Sequence, residues 1–238
     1  MEQTAVIFDV DGVLIDATDW HFEALNRALV PFCAAIPYGV HSRELLGLPT
    51  ASKIQWLIGR GTLSAKFEKQ VLQSKREHFS RIMRKRSKPE IARQRLLSVL
   101  SSRGILLAAV SNAVRSSATQ MLELAGLLEF FGVIVGGDEV LRPKPDPEIY
   151  HEALRRLGVT PEKARAVEDG RLGVEAALSA GLSVVKLNKF SDLNEQVLAR
   201  PTHALEAGAR GDSRAIMYPL GSMDLKPGVV APTQFTSP

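Results

Sequence analysis

A parallel α/β sheet with helices on both faces, interrupted after its first strand by a helical insert, is the fold class this sequence predicts. Three observations carry that reading. From residue 105 onward, short apolar runs alternate with stretches of helical periodicity. Gly126, Gly158 and Gly181 each stand just past one of those stretches, where helices commonly end on a residue in left-handed backbone. Residues 16–86, by contrast, form a helical stretch that interrupts this rhythm after the first strand. Strands joined by helical crossovers form right-handed βαβ units, and such units build a doubly wound parallel sheet. The length of 238 residues suits one domain with a smaller insert, and a hydrophobic share of 45% is enough to bury a core.

Taken in order, residues 4–9 (Thr-Ala-Val-Ile-Phe-Asp) are β-branched and aromatic and give way to Gly12, as a buried strand followed by a loop does. Residues 18–29 set Phe22, Leu25, Ala28 and Leu29 at helical spacing, with His21 and Ala24 near the same face. Pro31, Pro37 and Pro49 divide the next stretch of chain into short pieces. A long helix is expected over 66–84, with Phe67, Val71, Leu72, Phe79, Ile82 and Met83 along one side. Pro89 ends that region, and a further helix runs to about Ser102. Strands are then expected at 105–110, 133–135, 164–167 and 184–187, with helices at 114–125, 147–157 and 172–180 between them. The chain divides accordingly into an α/β core (1–15 and 87–200), a helical cap (16–86) and an irregular C-terminal extension (201–238). In the extension Pro201, Pro219, Pro227, Pro232 and Pro238 leave no periodicity, so it contributes little to the core.

Several function classes are excluded by composition. The net charge of +4 is mild, and the basic stretch Arg81, Arg84, Lys85, Arg86, Lys88, Arg93, Arg95 has no interleaved aromatic rings. It reads as a solvated helix face, so no nucleic-acid partner is expected. One cysteine, Cys33, excludes an intramolecular disulfide and a Cys-rich zinc site. The apolar run at 105–110 is far shorter than the ~20 residues a membrane helix needs. The opening Met1-Glu2-Gln3 lacks the basic start and long apolar stretch of a signal peptide. A cytoplasmic protein without a membrane partner, monomeric or homodimeric, is the expectation.

Ligands of α/β sheets bind beyond the carboxyl ends of the strands. The residues there are Asp9, Asp11 and Gly12 after the first strand, Ser111 and Asn112 after the second, Lys144 and Asp146 past the third, and Glu168, Asp169 and Gly170 after the fourth. Carboxylates, a hydroxyl and a lysine converging at one edge suit a metal ion and a phosphate. A phosphate monoester dianion repels a carboxylate nucleophile, and a magnesium ion held by carboxylate oxygens removes that repulsion. Lysine neutralises charge on the transferring group, and a hydroxyl donates to it. Asp146, directly before Pro147, reads instead as a helix cap. Gly136-Gly137 reads as a turn without dinucleotide spacing.

Phe8-Asp-Val-Asp-Gly-Val-Leu14, Ser111-Asn112-Ala113, Arg142-Pro-Lys-Pro-Asp-Pro147 and Val167-Glu-Asp-Gly170, the last followed by Gly173, Ala176, Ala177, Ala180 and Gly181, resemble the four ordered motifs of the haloacid dehalogenase superfamily. The resemblance spans roughly residues 4–190. It implies a Rossmann-like core under a helical cap and a magnesium-dependent phosphatase that works on a small phosphomonoester through an aspartyl-phosphate. It implies Asp9 as nucleophile and metal ligand. Asp11 would be general acid/base and give the metal its backbone carbonyl. Ser111, Asn112 and Lys144 would bind the phosphoryl group, and Asp169 with Glu168 would complete the magnesium site. Gly170 stands where the family often has Ser. The cap is similar to that of the beta-phosphoglucomutase and phosphoglycolate phosphatase branch, with His21 and Lys75 at positions where the mutase has a histidine and a lysine on the substrate side. Ala17 and Thr50 depart from the mutase pattern, which has Thr and a phosphate-binding Arg there. Losing the arginine removes a bidentate phosphate clamp, which favours hydrolysis over phosphate transfer within a sugar phosphate. The alternatives are that mutase activity, a metal-independent dehalogenase, which Asp11 and the acidic fourth motif disfavour, and a non-enzymatic binding protein, disfavoured by Asp9 and Asp169.

Overall fold

The computed structural model describes residues 4–198. The expected extension at 201–238 lies outside them. In chain order the main elements are β1 (Ala5–Asp9), α1 (Thr18–Leu29), a short α2 (Tyr38–Val40) continued by a wider π-type turn (His41–Leu45), α3 (Thr50–Gly59), α4 (Glu68–Arg86), α5 (Ile91–Ser102), β2 (Leu106–Ser111), α6 (Arg115–Leu124), β3 (Val133–Gly136), α7 (Glu148–Leu157), β4 (Ala164–Glu168), α8 (Arg171–Ser179), β5 (Ser183–Lys186) and α9 (Glu195–Leu198). The sheet is parallel throughout, in the order β3-β2-β1-β4-β5. The chain builds outward from β1 to β3, then crosses back to lay β4 on the other side of β1. That reversal places the ligand crevice at the carboxyl end of β1.

Side-chain alternation explains the layers. Val6 and Phe8 face one side of the sheet, where they pack with Leu97 and Leu100 of α5 and Met121 and Leu122 of α6. Ala5 and Ile7 face the other, against Ile149, Tyr150 and Ala153 of α7 and Ala176 and Ala177 of α8. β1 is buried along its whole length, which is why it reads as a continuous apolar run and not as an alternating one. Gly158, at the end of α7, takes left-handed backbone with φ 69°, the conformation its position in the sequence required.

The helical insert between β1 and α5 has an apolar cluster of its own, built from residues such as Leu25, Leu29, Leu45, Ile54, Leu57 and Val71. Asn26 fixes the chain after α1 by donating to Ile36 O (3.0 Å) and accepting from Ile36 N (2.6 Å). Most element ends fall within one or two residues of the sequence expectation, and two differences are informative. β2 runs one residue further, because Ser111 still pairs with Gly136 of β3. The region after Pro49 holds a full helix, α3, where short pieces were expected; Pro49 stands just before its first turn, a place where missing an N–H carries no penalty. Among the described residues no helix is long and apolar enough to cross a membrane.

Candidate active site

The strand ends bring the acidic residues together. Asp9 closes β1 and Glu168 closes β4, and β1 and β4 are direct neighbours. The carboxylates of Asp9, Glu168 and Asp169 offer ligand atoms that all lie within 4.8 Å of one another. Lys144 reaches in from the loop after β3. Its Nζ donates to Asp9 Oδ1 at 2.5 Å and to Glu168 Oε1 at 2.7 Å, with 4% of the residue exposed. The Tyr150 hydroxyl donates to the same Glu168 oxygen. Burial pushes the Asp9 carboxyl well above its ordinary range, helped by the negative charge of Glu168 and against the pull of Lys144. Asp169 is raised to about 6, again by burial first and by Glu168 second. Burial works to lower the Lys144 ammonium, but Asp9 and Glu168 outweigh it and hold the proton on.

Three carboxylates against one lysine leave negative charge that a cation would neutralise. The donor set is all oxygen and hard, which fits a divalent ion such as magnesium. Two glycines make this convergence possible. Gly12 turns the loop after β1 at φ 90°, and a Cβ there would lie 2.1 Å from Asp169 Oδ2. A Cβ on Gly173 would lie 2.0 Å from the Glu168 carboxyl carbon. Gly173→Ala is therefore expected to displace the Glu168 carboxylate from Lys144 and Tyr150. Overpacking of this kind costs about 1–3 kcal/mol. Thermal unfolding reads it directly: an unchanged Tm would show that Glu168 can move freely.

Asp11 faces a different set of partners. Its Oδ1 lies 2.9 Å from His21 Nε2, and its Oδ2 accepts from Ser111 Oγ at 3.1 Å. Lys75 Nζ, a donor only, lies 2.9 Å from His21 Nδ1. The imidazole therefore accepts at Nδ1 and donates from Nε2, giving a line of donors from Lys75 through His21 to Asp11. His21 is held flat against Phe79, ring centroids 4.0 Å apart. Burial works to raise the Asp11 carboxyl, but His21, Ser111 and Lys75 together hold it below its usual value. Burial lowers Lys75 to about 8.

Asn112 is placed at the same edge, and its side chain already makes three hydrogen bonds to protein. Its amide donates to Gly47 O of the insert (2.9 Å) and to Lys144 O (3.3 Å), and its Oδ1 accepts from Lys144 N (3.0 Å). Asp146 accepts from Glu148 N at the start of α7, as a cap does. The start of α6 is capped by Asp138, which accepts from Arg115 N, and not by Ser111 or Asn112. Asp9, Asp11, His21, Lys75, Ser111, Asn112, Lys144, Glu168 and Asp169 all border one cavity of about 550 Å³ between the sheet edge and the insert. Sequence reasoning alone does not single out Tyr150, whose apolar neighbours hide it, nor His41 and Lys53, which also border the cavity.

Comparison with known proteins agrees with this geometry. Residues 6–187 match the family model described as haloacid dehalogenase-like hydrolase. A phosphorylated carbohydrates phosphatase from Thermotoga maritima is 35% identical over 181 residues, covering 75% of this chain and 82% of that protein. A phosphoglycolate phosphatase from Aquifex aeolicus is 29% identical over 204 residues, 83% of this chain and 92% of that one. Among solved structures, CbbY from Rhodobacter sphaeroides in complex with phosphate superposes with a TM-score of 0.72 at 26% identity, covering 81% of this chain and 96% of that chain.

Proposed function

Because the chain belongs to the haloacid dehalogenase-like hydrolases, we propose that it is a magnesium-dependent phosphatase of a small phosphorylated metabolite, with Asp9 as the nucleophile. The observation that carries this reading is Lys144, which bridges Asp9 and Glu168 at the carboxyl edge of the sheet. The relatives named as phosphatases of phosphorylated carbohydrates and of phosphoglycolate support the substrate class.

The chemistry assigned to these residues runs in two steps. The Asp9 carboxylate attacks phosphorus, the bond to the leaving oxygen breaks, and the Asp11 carboxyl gives that oxygen its proton. Water then attacks the aspartyl-phosphate, Asp11 takes its proton, and inorganic phosphate and the Asp9 carboxylate are released. An arriving phosphate dianion raises the affinity of Asp11 for a proton, which readies it as an acid for the first step. A divalent cation among Asp9, Glu168 and Asp169 would supply the positive charge that lets two anions approach. The Asp11 backbone oxygen is the atom that would reach it, since its carboxylate is turned to His21 and Ser111. Lys144 and the Ser111 hydroxyl neutralise and orient the transferring group.

Phosphate release from a panel of sugar phosphates, phosphoglycolate and nucleotides, with magnesium and with chelator, tests the reading. Release from a few of them that chelator abolishes is expected. Isomerisation of a sugar phosphate without release would replace hydrolysis by mutase activity, and silence in both assays would overturn the enzyme assignment.

A further inference from the structure

Glu168 differs from the other two carboxylates of the acidic cluster in how its oxygens are used. Oε1 accepts twice, from Lys144 Nζ at 2.7 Å and from the Tyr150 hydroxyl. Lysine is a donor only, and a phenol keeps its proton at neutral pH, so both contacts run toward the carboxylate. Each carboxylate oxygen offers about two lone pairs, and the two donors take both of those on Oε1. Among the described residues no hydrogen bond or ion pair involves Oε2.

The surroundings hold this arrangement in place. Tyr150 is fully buried, and its ring belongs to the apolar cluster that includes Ile7, Ile149 and Ala153, so the hydroxyl has a fixed position. The Lys144 ammonium stands 5.2 Å from the centre of the same ring, a cation–π contact that ties the two donors together. α8 closes another side, where a Cβ on Gly173 would collide with the Glu168 carboxylate. Glu168 can therefore neither turn nor withdraw, and Oε1 stays occupied. Tyr150 does not border the cavity, so it touches no substrate and acts only through its neighbours.

An oxygen whose lone pairs are both in use cannot also hold a cation, which leaves Glu168 one ligand atom, Oε2. Magnesium demands near-octahedral angles, which the narrow bite of a two-oxygen carboxylate does not suit. Calcium takes ~6–8 oxygens and readily binds both oxygens of one carboxylate. A buried phenol that withholds one oxygen thus denies calcium a ligand that magnesium does not need.

We propose that Tyr150 is a positioning residue that selects the metal: by occupying Glu168 Oε1 it keeps that carboxylate a one-oxygen ligand and sets the preference of the site for magnesium over calcium. The proposal deepens the phosphatase reading and rests on its cation site among Asp9, Glu168 and Asp169.

The test titrates magnesium and calcium separately into metal-free wild type, Tyr150→Phe and Glu168→Gln, as full chains, by calorimetry. Tyr150→Phe removes the hydroxyl but keeps the ring that fills the core, and Lys144 still holds Glu168, so the fold stands. This variant is expected to lower the ratio of the calcium to the magnesium dissociation constant by ~10-fold or more, the scale of losing a partner that orients a metal ligand. Calcium should also inhibit its magnesium-supported release of phosphate from p-nitrophenyl phosphate at a correspondingly lower concentration. Glu168→Gln is expected to weaken both ions, because each loses a charged oxygen. A ratio in Tyr150→Phe within about twofold of wild type, whether the two affinities stay the same or fall together, would overturn the proposal and leave the phosphatase reading standing. Unchanged binding by Glu168→Gln would overturn it as well, by removing Glu168 from the ligands. A wild type that binds neither ion would overturn both the proposal and the magnesium requirement, and phosphate release by that same protein decides the phosphatase reading separately.

Discussion

Asp9→Asn is expected to stop phosphate release while leaving the fold standing. An amide has the shape of the carboxylate but not its nucleophilicity, and loss of a nucleophile costs on the order of 10⁴-fold or more in turnover. The fold has little to lose. In the metal-free protein the Asp9 charge is disfavoured by burial and by Glu168, so its removal relieves repulsion. The asparagine Oδ1 can still accept from Lys144, which also keeps the charge of Glu168, Oε1 at 2.7 Å. A Tm within a few degrees of wild type together with undetectable release is the expected pair of results. A variant still turning over within tenfold of wild type, with the asparagine verified intact, would remove Asp9 from the role of nucleophile.

Lys144→Met is expected to damage both activity and stability, and to do so unequally with and without magnesium. The ammonium is the one cation in direct contact with the buried Asp9 and Glu168 among the described residues. Removing one member of a buried ionic cluster typically costs about 3–5 kcal/mol because the remaining charge is left uncompensated. A cation bound to the carboxylates offsets part of that, so magnesium should raise the Tm of the variant more than that of wild type. The loss in kcat is expected to be ~10²–10³-fold, the scale of removing one preorganised donor to a developing charge. Equal Tm responses to magnesium in the two proteins would show that Lys144 and the metal do not share the same carboxylates.

Much of this site was legible in the sequence because a parallel sheet forces it. The central strands β1, β2 and β4 are short and mostly apolar and buried, so the polar residue that ends each must emerge at one edge. Asp9, Ser111 and Glu168 are all strand-terminal for that reason. Pro, Gly and helical periodicity marked the crossovers that keep the strands parallel. What stayed hidden depends on contacts distant in the chain. Thr50 stood out as the loss of a cation, whereas Lys53, one turn further along α3, brings an ammonium to the same cavity. Nothing local distinguishes it from a solvated lysine, because its burial comes from the packing of α3 against the rest of the insert. The helix itself was obscured by the proline before it and by the lack of a capping side chain. Tyr150 looked like an apolar residue of α7 and is one, except that its hydroxyl ends on Glu168.

Asn112 carries a further consequence. Two of its three hydrogen bonds go to the backbone of Lys144 on the sheet side, and the third goes to Gly47 of the insert. The two sheet-side bonds hold its amide at a fixed angle whether or not Gly47 is present. Ordering a free polar side chain costs roughly 1 kcal/mol, a penalty the two Lys144 bonds already offset without Gly47. The Gly47 carbonyl therefore meets a donor already oriented by the sheet side, and the same amide sets the backbone from which Lys144 extends. One side chain thus joins the loop at Gly47 to the stretch of backbone that carries Lys144.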